Sequence, residues 1–130
     1  MRAGEICSLE WRYVNERHVH LPRTKNGHVR DVSLSVEARR IIEQLRSLTG
    51  DEETVFGVST ASLDALFRKA KRLALIEDLH FHDTRREALT RLSKVFDVME
   101  LARISGHRDL RVLQNVYYAP SVKDLADKLG

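Results

Sequence analysis

Between Leu34 and Ala38 the spacing of the apolar residues changes from two to three or four, and it does not change back. His18-Val19-His20-Leu21 alternates, and Val32 and Leu34 alternate again, which is the period of a strand with one buried face. From Ser35 onward Ala38, Ile41, Ile42, Leu45 and Leu48 recur at helical spacing, with Ser35 placed to cap the helix and Gly50 to close it. A chain patterned this way is α+β, mainly α-helical, with a small antiparallel sheet before residue 35.

The sheet is expected to be three-stranded. Asn26-Gly27 between the two alternating stretches is a strong hairpin signal and puts Lys25 at the tip. Pro22 lacks the amide of a central strand, so the ribbon belongs at an edge, with a third strand near Tyr13-Val14. Ahead of it, residues 2–10 carry Ile6 and Leu9 on one side of a short helix. After Gly50, Leu63, Leu66, Phe67, Ala70 and Leu73 form another apolar face, while Arg68, Lys69, Lys71 and Arg72 give the same helix a basic one. That basic face is either solvated surface or a grip on nucleic-acid phosphates. The last fifty or so residues read as four helices, near 82–94, 98–105, 110–118 and 122–129, broken at Gly106 and Pro120. Val122, Leu125, Ala126 and Leu129 make the final one amphipathic, suited to dock on its own core or on a neighbour.

Composition removes several function classes. With 130 residues, 42% hydrophobic and 32% charged, the chain suits one domain with an ordinary core. No apolar run approaches the roughly 18 residues of a membrane span, and no signal-peptide core follows Met1, so a soluble intracellular protein is expected. The single Cys7 makes neither an internal disulfide nor a cysteine metal site and reads as a small buried hydrophobe. His and acidic residues show no tight metal-ligand spacing, so neither metal nor cofactor is expected. The net charge is only +3, yet 16 of the 22 basic residues are arginine, whose planar fork suits phosphate or carboxylate.

One arginine stands out. Phe81, Arg85, Ala88, Leu92 and Val95 share a helix face, so Arg85 sits on a stripe that otherwise faces a core and must be paired or bind an anion. His82 lies on nearly the same side. Taken singly, other polar residues have plain explanations: Arg2 and Glu5 as a surface ion pair, His107 as the neighbour of a helix-ending glycine, Tyr117 as a core tyrosine, Lys25 as decoration on a turn.

Their order is more specific. Arg2-Ala3-Gly4-Glu5-Ile6, Thr24-Lys25-Asn26, His82-Asp83-Thr84-Arg85, Ser105-Gly106-His107 and Tyr117-Tyr118 together resemble the catalytic domain of the tyrosine recombinases, the phage integrase family, nearly end to end. The resemblance implies an integrase-type catalytic fold over residues 1–130 and cleavage and rejoining of double-stranded DNA through a 3′-phosphotyrosine. It implies Tyr117 as nucleophile, Arg2 and Arg85 as donors to the non-bridging oxygens, and Lys25 as general acid to the departing 5′ oxygen. His82 would assist proton transfer at the phenol, His107 would donate to the phosphate, and Glu5 would orient the arginines. It further implies a DNA-bound homotetramer joined through the C-terminal helix, and a cytoplasmic, nucleoid-associated protein encoded by a bacterium or phage.

Two departures qualify it. The family's tyrosine usually comes one residue sooner after the box histidine, where this chain has Val116, which keeps Tyr118 as a rival nucleophile. Family members also carry a core-binding domain and usually one more helix before the first arginine, here residue two, so a chain truncated at its N-terminus and inactive alone is expected. A type IB topoisomerase, which uses similar residues, and a non-catalytic DNA-binding or assembly domain stay open as alternatives.

Overall fold

Alternation in the sequence becomes an antiparallel ribbon in the computed structural model, which describes residues 1–22 and 28–130. In chain order the elements are α1 (Ala3–Cys7), a 3-10 turn (Trp11–Tyr13), β1 (His18–Leu21), β2 (Arg30–Ser33), α2 (Val36–Thr49), α3 (Thr60–Leu73), α4 (Phe81–Leu92), α5 (Val98–Ser105), α6 (Leu110–Tyr117) and α7 (Val122–Leu129). The expected hairpin tip, with Lys25 and Asn26-Gly27, lies outside the described residues.

Among the described residues the sheet has two strands, not three. Its register pairs His18 with Ser33, Val19 with Val32, His20 with Asp31 and Leu21 with Arg30. At Tyr13-Val14 the amides are used locally: Tyr13 donates to Glu10 at 3.0 Å and Val14 to Trp11 at 3.1 Å. A segment wound into i→i+3 bonds has too few free groups for a ladder, and Val14 makes only an isolated bridge to Val19. The first helix is likewise shorter than expected. It ends at Cys7, and Leu9 leaves it to accept a hydrogen bond from the Val55 amide at 2.9 Å.

The chain divides into two compact units, Met1–Glu87 and Ala88–Gly130. In the first, Val19, Leu21 and Val32 from the ribbon, Cys7 and Leu9 from the α1 region, Ile42 of α2 and Val55 are buried. Trp11 fastens this unit by donating to the Thr49 carbonyl at 2.7 Å, and the Arg46 guanidinium lies 4.6 Å from its ring centroid. The helical faces are narrower than their spacing implied. Ile41 and Leu48 are exposed, leaving Ile42 as the buried residue of α2. On α3, Leu63 and Phe67 are half-buried while Leu66 and Leu73 face water. Phe67 packs edge-on against Phe81 at 5.4 Å.

The second unit is built around Leu89, Leu101, Ala102 and Leu113, with Leu92, Phe96, Val98, Leu110, Tyr117 and Tyr118 packed on them. Short polar residues start its helices: the Asp97 carboxylate accepts the Glu100 amide at 2.8 Å while Glu100 accepts the Asp97 amide at 2.9 Å. α7 opens the same way on Ser121 and Asp124. Its Val122, Leu125 and Leu129 are all exposed.

Two substitutions test this packing. Leu75, just past α3, has φ 57° and is 90% exposed, so it bears the cost of the left-handed region with no packing in return. Leu75→Gly is expected to raise the unfolding free energy by about 1 kcal/mol. Leu113→Ala, which empties a fully buried position, should lower it by about 2–5 kcal/mol. Urea denaturation of both variants measures the two effects.

Candidate functional site

α1 is under two turns long, and charge rather than length holds it in place. Glu5 accepts the backbone amide of Arg2 at Oε2, 2.7 Å away, and so closes the helix N-terminus. The same carboxylate is gripped from the ribbon by Arg30, whose Nη1 and Nη2 donate to Oε1 and Oε2 at 2.9 Å each. Both of those side chains are 7% exposed. What reads in sequence as a surface pair of Arg2 and Glu5 is therefore a buried carboxylate whose main partner lies 25 positions away. Burial pushes the Glu5 carboxyl up, but the hydrogen bonds from the Arg30 side chain and the Arg2 amide, with the Arg30 charge, outweigh it and leave it below the usual range.

Arg2 stands differently. Its Nη1 is 3.7 Å from Glu5 Oε1, beyond hydrogen-bond distance, and is buried without a hydrogen-bond partner. Arg85 is buried on α4, as the sequence implied, although the stripe around it is different. Leu89, one turn on, is buried with it, whereas Ala88 and Val95 are exposed and α4 stops at Leu92. At 3.6 residues per turn the four-residue step from Arg85 to Leu89 turns about 40° and the three-residue step to Ala88 about 60° the other way, so the buried stripe lies on the Leu89 side. His82 is exposed on the first turn of α4 rather than buried beside Arg85. That helix is started by Asp83, which accepts the His80 amide at 2.8 Å.

The positive side chains of this unit act on a common region. The Met1 ammonium is pulled down to about 6, by burial first and then by Arg85, with Arg30 and Arg2 adding to it and Glu5 opposing. Arg85, Arg30 and Arg2 thus all act electrostatically on the chain's first amino group, with the Glu5 carboxylate opposing them. Lys25 lies outside the described residues. On α3, Arg68 pairs with Asp64 at 3.2 Å and Lys71 donates to the Glu77 carbonyl at 3.3 Å, while Lys69 and Arg72 are exposed. No group of three His, Cys, Asp or Glu among the described residues is arranged to hold a metal ion.

In the second unit α5 ends at Gly106, whose φ of 78° is a conformation glycine adopts without strain. The turn delivers His107, whose Nδ1 lies 2.6 Å from the Oγ of the buried Ser105. At the end of α6 the two adjacent tyrosines are in different states. The Tyr118 hydroxyl donates to the Phe96 carbonyl at 2.5 Å, and its pKa is raised by burial first and then by the charges of Asp97 and Glu100. Tyr117 is half-buried against the core of this unit, and its hydroxyl makes no hydrogen bond among the described residues.

Sequence reasoning missed Arg30 and Ser105. Arg30 was legible in principle: it alternates with the inward-facing Val32, and so shares the buried face of the ribbon. Ser105 carried no signal beyond its place in the Ser105-Gly106-His107 motif.

Two measurements follow from these contacts. Folded Glu5 titrates below the roughly 4.3 of an unfolded glutamate, so its stabilisation is complete above that pH and is lost as pH falls through the folded value. The melting temperature should therefore fall between pH 5 and pH 3 less steeply for Glu5→Gln than for the unaltered chain. Tyr118→Phe, which strands the Phe96 carbonyl, should cost about 1 kcal/mol in denaturant unfolding.

The sequence profile described as the phage integrase family matches residues 1–123. A Haemophilus influenzae protein provisionally named an integrase/recombinase is 56% identical over 131 aligned residues, covering 99% of this chain and 43% of that protein. The shufflon-specific DNA recombinase of Escherichia coli is 44% identical over 119, covering 88% of this chain and 30% of that one. The crystal structure of XerA recombinase superposes with a TM-score of 0.74 at 22% identity, over 98% of this chain and 51% of that one. The chain thus spans less than half the length of these two sequence relatives.

Proposed function

Taking as premise that the chain belongs to the phage integrase family, we propose that residues 1–130 are the catalytic domain of a recombinase that cuts and rejoins double-stranded DNA at specific sites. The observation that carries this reading is the buried Glu5 carboxylate, with the Arg30 fork on both its oxygens and the Arg2 guanidinium 3.7 Å away, and Arg85 buried in the same unit, in a family whose named relatives include a DNA recombinase. A phosphodiester in the transition state gathers negative charge on its non-bridging oxygens, and arginine forks held in advance stabilise it without reorganising.

In this mechanism the Tyr117 oxygen attacks the scissile phosphorus, and the bond from phosphorus to the 5′ oxygen breaks. The products are a 3′-phosphotyrosine and a 5′-hydroxyl, so the energy of the broken diester is kept in the new one for rejoining. Arg2 and Arg85 bind the non-bridging oxygens, His107 donates to the phosphate, and Lys25 protonates the departing 5′ oxygen. His82 takes the phenolic proton, a role that its exposed place at the head of α4 leaves open to a partner. Glu5 orients the arginines. Tyr118 is the less suited to attack because its hydroxyl donates a hydrogen bond to the Phe96 carbonyl and its pKa is raised, so that the phenol holds its proton. The uncovered apolar face of α7 supports exchange of this helix between subunits of a DNA-bound homotetramer. The exposed Lys69 and Arg72 supplement phosphate contacts. A bacterial or phage origin and work at the nucleoid accord with this activity; no helix among the described residues is long and apolar enough to cross a membrane.

The decisive experiment incubates the full-length protein, with a chelator present, with sheared double-stranded DNA from the genome that encodes it, and recovers denaturation-resistant adducts. The unaltered protein and Tyr118→Phe are expected to give adducts enriched in one sequence, and Tyr117→Phe none while still binding DNA. Adducts spread over all sequences with relaxation of supercoils would indicate a topoisomerase instead. Strongly salt-dependent binding without any adduct would indicate a DNA-binding module.

A further inference from the structure

Arg30 touches no reacting group in the mechanism above, yet it makes a two-pronged bond to Glu5 with both side chains almost fully buried. Its strand position explains how it gets there, since pairing opposite the buried Leu21 puts it on the inner face of the ribbon. Glu5 has two oxygens to satisfy. Arg30 bonds both, and the Arg2 amide takes a further lone pair on Oε2. Arg2 stands next in line for this carboxylate, with Nη1 only 3.7 Å from Oε1 and no hydrogen bond made by its guanidinium among the described residues. A buried carboxylate with one unsatisfied oxygen attracts the nearest guanidinium strongly. Without the fork from Arg30, that guanidinium is the one on Arg2.

We propose that Arg30 is a positioning residue that saturates both oxygens of Glu5, and by doing so keeps the Arg2 guanidinium in a loose ion pair without a hydrogen bond to the carboxylate, open to an anion. Glu5 then fixes the backbone of Arg2 through its amide while Arg30 prevents the same carboxylate from capturing the side chain. The inference rests on the reading of Arg2 as a phosphate-binding residue, and it adds a second arginine, carried by the ribbon, whose work is done on Glu5 and not on DNA. A lysine at this position keeps the charge but offers a point donor where the geometry needs a fork.

Titration of the 130-residue chain with inorganic sulfate, followed by the NMR signal of Arg2 Nε, tests this in a double-mutant cycle. Arg30→Lys is expected to weaken sulfate binding at Arg2 about tenfold, the loss of one charge-assisted hydrogen bond, with an unchanged far-ultraviolet circular dichroism spectrum. In a Glu5→Gln background the same change is expected to alter the affinity by less than about twofold, because a neutral amide does not compete for Arg2. An equal loss in both backgrounds overturns the proposal and makes Arg30 an anion ligand or a packing residue. Should Arg30→Lys fail to fold, the neutral pair Glu5→Gln with Arg30→Gln is compared with Glu5→Gln alone, and a tenfold difference between them overturns it as well. A separate outcome, sulfate leaving the Arg2 signal of the unaltered chain unmoved, removes the phosphate-binding reading itself and the proposal with it.

Discussion

A single buried carboxylate organises the first unit. Placing Glu5 out of water costs several kcal/mol unless its charge is answered at close range, and two separate parts of the chain answer it: the amide of Arg2, local to α1, and the guanidinium of Arg30, brought by β2. Because breaking a buried pair costs far more than forming it gains, α1, the ribbon and the residues between them depend on one another. The short α1 has little helical stability of its own. It is the ion pair, with the bridge from Leu9 to Val55 behind it, that places Arg2 reproducibly.

The same arrangement explains how arginines serve where lysines would not. The Met1 ammonium is depressed by burial first and then by Arg85, with Arg30 and Arg2 adding to it. Burial and repulsion of this kind lower the pKa of a lysine, whereas arginine stays charged and keeps a planar fork that meets two oxygens at once. In the second unit the logic is packing. Leu89, Leu101 and Leu113 hold α4, α5 and α6 together, and the tyrosines at the end of α6 take their difference from that core. Tyr118 reaches a carbonyl and Tyr117 does not.

Much of the architecture was written as periodicity. The switch from alternation to helical spacing at Ser35 became β2 followed by α2, with Ser35 as the helix start because a short polar side chain satisfies an amide that no helix can. Faces were read less well. Ala88 and Val95 were placed in a core stripe and are exposed, while Leu89 is buried, because a small domain has too little interior to cover every apolar residue at helical spacing. Tyr13-Val14 had the composition of a strand but spent its amides on a local turn, which no alternation pattern reveals.

By itself the sequence determined the element order, the mainly helical class, the family, and the anomaly that an arginine at position 85 must lie in a helix face turned inward. These follow from local chemistry and spacing. Tertiary structure alone decided which carboxylate pairs with which arginine, because Glu5 and Arg30 are 25 positions apart and only the strand register brings a side chain from one to the other. It also separated Tyr117 from Tyr118, two residues with the same chemistry and neighbouring positions, since a hydrogen bond to Phe96 depends on where α6 ends against its core. Pairing across the chain and the commitment of a proton are properties of packing, and packing is not periodic.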